Sequence, residues 1–194
     1  MNAALPGGYA LRVLDEQDLP ELHALIEHNR ARLARWIHWA QGQTEADTLA
    51  FIGRARAKEQ DGSGFSRGIV TADGQLAGVV GLTIDRQNRS GAIGYWLDAA
   101  SEGKGIVTAA TAALTEHGFA QDRLLRLEIR ADVENRASCA VAERLGFTLE
   151  GVARQAYSVN AEHQSDDAVY SLLATDTSRS KIRERQVADG TPMG

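Results

Sequence analysis

Two glycines two residues apart, Gly103 and Gly105, stand in a polar loop directly before an apolar helical pattern. From Ile106 onward, Val107, Ala110 and Leu114 share one helix face, with Ala109 and Ala113 beside it. A glycine loop that opens a helix can hold an anion. The first amides of a helix have no internal acceptor, the macrodipole adds partial positive charge, and glycine lets a phosphate approach the main chain without meeting a Cβ. The loop is neither GxxxxGK[ST] nor GxGxxG, since Thr108 stands at the third glycine, so neither nucleotide fingerprint applies. Taken alone, the spacing fits an ordinary loop equally well. A second constellation, Asn135 and Ser138, falls at i and i+3 on one face of a helix start. Its plainest reading is capping, with Asn135 as N-cap and Ser138 at the third helical position.

Other reactive side chains carry less. Cys139 has no histidine partner visible in the sequence and reads as a small buried apolar residue. The histidines (His23, His28, His38, His117, His163) show no HxxxH or CxxC spacing, so no metal is expected.

The elements that position these residues follow from periodicity and turn chemistry. Tyr9–Leu14 reads as a strand. Asp18 with Glu21 reads as a capping box before a helix that Asn29-Arg30 interrupts. A second helical piece then carries Leu33, Trp36 and Ile37, with Trp39 just beyond and on the face of Trp36. Arg30, Arg32 and Arg35 form its solvated side, with Arg30 within reach of an acceptor. Thr44 with Asp47 caps a helix running to about Gln60. Three strands follow, Phe65–Thr71, Leu76–Asp85 and residues 91–97, with Asp73-Gly74 as a hairpin turn. Residues 91–97 read as a buried strand. After the central helix come the alternating strand Leu124–Ala131, a short helix Asn135–Leu145 with Gly146 at its C′ position, and a strand Phe147–Val152. Arg154–Asp167 reads as polar and irregular, Ala168–Ala174 as a last strand. The expected fold is α/β (α+β): a mixed, mostly antiparallel sheet with helices on both faces.

Composition sets the bounds. The 194 residues suit one domain, residues 1–175, followed by a polar tail, 176–194. A net charge of −5 disfavours non-specific nucleic-acid binding. One cysteine suits a reducing cytoplasm, and no signal peptide or membrane span is expected.

The order of elements resembles the GNAT superfamily of acyl-CoA N-acetyltransferases, and within it the RimJ/RimL-like branch that acetylates N-termini of ribosomal proteins. Three stretches carry the resemblance, which spans about residues 9–174: NRARLARWIHWA (Asn29–Ala40), EGKGIVT (Glu102–Thr108) and NRAS (Asn135–Ser138) followed by AERLGF. It implies a splayed parallel strand pair and transfer of an acetyl group from acetyl-CoA to a primary amine, without metal. The amides of Gly103, Lys104, Gly105, Ile106, Val107 and Thr108 would hold the pyrophosphate. Main-chain groups around Trp96 and Leu97, with Asn135, would hold the pantetheine. Ser138 would meet the leaving sulfur. Arg30, Trp36, Trp39 and Tyr157 would border the acceptor.

Two departures stand out in the loop, Glu102 where Gln or Arg is usual and Val107 where a small residue is usual. In a third, Tyr157 follows Arg154-Gln155-Ala156 where the branch often has a Glu, so a base at that Glu does not carry over. Glu128 and Tyr157 are the base candidates. The expected acceptor is a protein N-terminus. The alternatives are a small amine (antibiotic, peptide or polyamine) or a non-catalytic acyl-CoA-binding module. A homodimer stays open.

Overall fold

A computed structural model describes residues 1–160 and 164–176. The expected tail, apart from Asp176, and His163 lie outside those residues. Eight strands form one sheet in the order β1-β2-β3-β4-β5-β6-β8-β7. They are β1 (Ala3–Ala4), β2 (Ala10–Val13), β3 (Gly64–Val70), β4 (Leu76–Asp85), β5 (Ser90–Leu97), β6 (Arg126–Asp132), β7 (Thr148–Ser158) and β8 (Gln164–Leu173). The helices are α1 (Leu19–Leu33), α2 (Glu45–Asp61), α3 (Ile106–Ala120) and α4 (Arg136–Arg144).

Every strand pair is antiparallel except β5 with β6. That parallel ladder holds only from Ser90↔Arg126 to Ala92↔Glu128. Beyond Ala92 the two strands part, and the sheet opens in its middle. Neighbouring Val79 and Val80 face opposite sides of β4, and they belong to different buried clusters. One cluster joins Val79 to Leu22, Ile26 and Ile52 of α1 and α2. The other, larger one joins Val80 to Ile106, Ala110 and Leu114 of α3 and to Val141 of α4. Helices therefore cover both faces, as expected.

Several local expectations are corrected. Asp15, not Asp18, makes the first capping box, with Asp18 as its third residue. Asp18 is drawn off by Arg12 (2.6 and 2.7 Å), and Glu21 accepts from Leu76 N at 2.7 Å. Asn29-Arg30 does not break α1. Asn29 is buried, and its amide donates to Leu25 O (2.9 Å) and to Asp98 (2.8 Å), a partner remote in sequence. Trp36 and Trp39 do not share a helix: α1 has ended, and Trp39 sits in a 3-10 turn (His38–Gln41). Residues 91–97 are not buried throughout. Gly91, Ile93 and Leu97 are, whereas Ala92 and Gly94 are exposed, because one face of the strand looks into the opening. Finally, β7 continues to Ser158 through a stretch expected to be irregular. Its register shifts between Ala153 and Tyr157, with Gln155 at φ 49° bonded to Asp166 at 2.7 Å.

Candidate active site

The opening between β5 and β6 is part of one cleft of about 2120 Å³. Pockets for drug-sized ligands run to roughly 1,000 Å³, so this cleft has room for an extended molecule and a second reactant. Its lining runs from the loop before α3, past β5 and the start of α4, to Trp36, His38, Trp39 and Tyr157.

At the first end, Gly103 (φ 74°) and Gly105 (φ 75°) are both left-handed, a conformation that costs a side chain roughly 1–2 kcal/mol. A Cβ at either would point into open space, so the main chain is bare towards the cleft. Gly105 is the N-cap of α3, and no side chain caps it. Ala109 N makes the first helical bond, to Gly105 O at 3.0 Å. The amides of Ile106, Val107 and Thr108 precede it and have no carbonyl within the helix. Lys104 reaches back to Tyr9, whose hydroxyl lies 3.4 Å from its Nζ and 3.1 Å from Ser101 Oγ. Glu102 puts a carboxylate at this glycine loop, and the fold supplies its counter-charge. Arg32 of α1 pairs with Glu102, bonds Asn29 Oδ1 at 2.9 Å and donates to Leu97 O. Arg32, expected to be solvated, is therefore engaged, whereas Arg35 is exposed and lies over the ring of Trp36.

In the middle, the antiparallel ladder decides which main-chain groups face the opening. Asp98 N donates to Ala77 O at 2.6 Å, and Trp96 is in register with Val79. Since the bonding direction alternates along a strand, Trp96 is committed to β4, whereas the N–H and C=O of Tyr95 and Leu97 point into the split. Asn135 accepts from Ser138 N at 3.2 Å, so it caps α4 as its type suggests. Ser138 lines the cleft, and its Oγ lies 3.0 Å from Tyr95 Oη. Tyr95 was absent from the expected site. Residues 91–97 look like continuous core in sequence, and only the departure of β6 turns this side chain into a cleft residue.

At the far end, Tyr157 Oη donates to Trp36 O at 2.7 Å, and its ring meets His38 edge-on with centroids 6.1 Å apart. Trp39 lines the cleft and also packs on the α1/α2 cluster. Arg30 is not on the cleft. It holds the loop behind it, donating to the carbonyls of Ala40 (2.5 Å), Gln41 (2.8 Å) and Gln43 (2.6 Å). Burial, then the charge of Asp167, pushes the Tyr157 phenol above its ordinary value, so it acts as a donor rather than a base. Glu128 also lies off the cleft. Burial alone would raise its carboxyl, but bonds from Arg130 (2.6 Å) and Arg126 (2.8 Å) outweigh this and hold it low. Asp132, buried at the end of β6, is a cleft carboxylate that sequence reasoning passed over, because it ends an alternating strand like any turn residue. Cys139 is buried and donates weakly to Asp132 O at 3.6 Å.

A bare glycine loop, a split sheet and a serine in the first turn of a capped helix lie along one cleft, and comparison with known proteins gives that arrangement a family. Residues 10–148 match the family model described as an acetyltransferase (GNAT) domain. The chain belongs to the GNAT acetyltransferases. It is 40% identical over 166 residues to YdaF of Bacillus subtilis (strain 168), covering 84% of this chain and 90% of that one; YdaF's own assignment as a ribosomal N-acetyltransferase is provisional. It is 34% identical over 152 residues to the ribosomal-protein-serine acetyltransferase of Escherichia coli (strain K12), covering 77% of this chain and 84% of the relative. The solved structure of RimL, a ribosomal L7/L12 alpha-N-protein acetyltransferase in complex with coenzyme A, superposes with a TM-score of 0.83 at 31% identity. The match covers 89% of this chain and 98% of RimL. This GNAT chain is thus an acetyl-CoA-dependent N-acetyltransferase, as its resemblance implied. No described helix is long and apolar enough to cross a membrane, and the described residues contain no cluster suited to a metal ion.

Proposed function

We propose that this GNAT enzyme acetylates the N-terminal α-amino group of a protein of the ribosomal class, in the cytoplasm, by direct attack of the amine within a ternary complex. The observation that carries this reading is the continuity of the cleft. It leads from the Gly103–Thr108 loop past Ser138 to aromatic side chains at Trp36 and Tyr157, where a chain end would enter opposite the cofactor. The relatives named for ribosomal proteins support the acceptor class.

Acetyl-CoA supplies an activated acyl group as its thioester. The amides from Gly103 to Thr108 bind its pyrophosphate. The main-chain groups of Tyr95 and Leu97, with Asn135, pair with its pantetheine. Trp36 and Tyr157 orient the acceptor. An α-amine has a pKa of about 7.7–8.0, so a useful neutral fraction exists at neutral pH and no strong base is required. As nitrogen bonds to the acyl carbon and the carbon–sulfur bond breaks, Ser138 donates a hydrogen bond to the leaving sulfur. One amine proton ends on sulfur, through Ser138 or solvent.

The test is a panel of acceptors assayed by thiol release, with mass spectrometry to locate the acetyl group. Peptides with a free N-terminus should be acetylated there. The same peptides blocked at the N-terminus but bearing lysine, and spermidine, should react at least tenfold more slowly. Preferential turnover of spermidine would replace this reading with a small-amine enzyme.

A further inference from the structure

We propose that Tyr95 is the positioning residue of Ser138: its phenol oxygen takes the seryl hydrogen at rest, and the phenol supports the seryl hydroxyl as a donor when charge builds on sulfur. The inference rests on the role given to Ser138 above and adds a second residue to it.

The geometry begins with the sheet. The last parallel pair is Ala92↔Glu128, so Tyr95 lies three residues into the split, where β5 has lost its neighbour. Its ring packs against the larger core cluster, which fixes the direction of the phenol. The phenol oxygen then meets two atoms of one residue, Ser138 Oγ at 3.0 Å and Ser138 O at 3.2 Å. Ser138 is itself fixed by the bond from its amide to Asn135. Neither partner needs to move for the pair to form.

A tyrosine hydroxyl has one hydrogen to give and lone pairs to accept. With two acceptors in reach, it has two arrangements. In the first, the phenol donates to the Ser138 carbonyl, and the seryl hydrogen points at the phenol oxygen. In the second, the phenol donates to Ser138 Oγ, and the seryl hydrogen turns into the cleft. Only hydroxyl torsions separate them. As the seryl hydroxyl gives its hydrogen bond to a developing thiolate, its own oxygen gains negative charge, and the second arrangement places a donor on it. Burial pushes the phenol up to about 12, so it keeps its hydrogen throughout the working range. Tyr95 thus supplies no net proton. The proton that reaches sulfur is balanced by the one that leaves the amine.

A residue that acts through Ser138 has no effect once Ser138 is gone, and this separates positioning from a merely structural role. Tyr95→Phe, Ser138→Ala and the double variant are compared by single-turnover acetyl transfer and by calorimetric titration with acetyl-CoA. Tyr95→Phe should lower the rate about tenfold in the wild-type background, with the acetyl-CoA Kd within twofold. In the Ser138→Ala background it should change the rate by less than twofold. Equal losses in both backgrounds would overturn the proposal, because Tyr95 would then act on the fold or the thioester directly. A wild-type rate in Tyr95→Phe, beside a slow Ser138→Ala, would overturn it while leaving Ser138 in place. A wild-type rate in Ser138→Ala would remove the Ser138 reading and this one together. Should Tyr95→Phe melt early, 3-fluorotyrosine at position 95 keeps the hydroxyl and changes its acidity. Its rate effect must likewise vanish without Ser138.

Discussion

The two ends of the cleft are built from different materials. The end proposed for the cofactor is main chain: left-handed Gly103 and Gly105, the first amides of α3, and the groups of Tyr95 and Leu97 that point away from β4, of which Leu97 O already accepts from Arg32. Its elements follow one another in sequence within residues 90–120. The end proposed for the acceptor is side chain, and its parts come from far apart. Trp36 follows α1, Trp39 sits in the next turn, and Tyr157 arrives from β7 to bond Trp36 O at 2.7 Å. Main-chain recognition tolerates side-chain change, as Glu102 illustrates, because Arg32 meets its charge while the glycine path is kept. Side-chain recognition does not have that tolerance. One fold can therefore keep its cofactor and vary its acceptor.

That contrast can be broken or sharpened by substitution. The largest effect is expected between the two ends. Ser138→Ala should lower kcat by on the order of 10²-fold if its hydroxyl acts as general acid, while acetyl-CoA affinity stays within twofold; kinetics and titration on the same preparation check both. At the acceptor end, Trp39→Ala should both weaken acceptor binding and lower stability. Trp39 packs on the α1/α2 cluster while lining the cleft, so a cost of about 2 kcal/mol, below that of a fully buried tryptophan, should appear in denaturant unfolding. Tyr157→Phe is milder. It removes one bond to a carbonyl, worth about 1 kcal/mol, and should raise the acceptor KM about fivefold with the acetyl-CoA Kd unchanged.

The smallest signal is in the pH profile. Protonated amine cannot attack, so kcat/KM should rise with pH through about 7.7–8.0 and then level off for an N-terminal acceptor. Burial holds Tyr95 near 12 and, with the charge of Asp167, Tyr157 above its ordinary value, so neither should add a fall up to about pH 10. A descending limb near pH 9 would point to an acid missing from this account.

The same contrast explains what the sequence reveals. The proposed cofactor end is legible because its signals are local: the Gly103-x-Gly105 spacing and the Asn135-x-x-Ser138 cap each lie within a few residues. Other features depend on contacts that no window contains. Asn29 looks like a helix breaker until Asp98 arrives to bond it at 2.8 Å, and the supposed break then disappears into a continuous α1. The stretch after Val152 looks irregular because its alternation is shifted by a bulge at Gln155, which Asp166 of the neighbouring strand holds. Tyr95 is a mixed case. Its strand is evident, but its exposure to the cleft depends on where β6 stops pairing, which is a property of the sheet.

The claim that the cofactor is held by bare main chain is tested most directly by calorimetric titration of acetyl-CoA into Gly105→Val. A branched Cβ there enters the open approach to the loop and also strains a backbone at φ 75°. The account predicts an acetyl-CoA Kd at least tenfold higher than that of the wild type, with the acceptor KM, measured at saturating acetyl-CoA, within twofold. An unchanged Kd in a folded Gly105→Val protein would contradict it, and would place the cofactor elsewhere in the cleft.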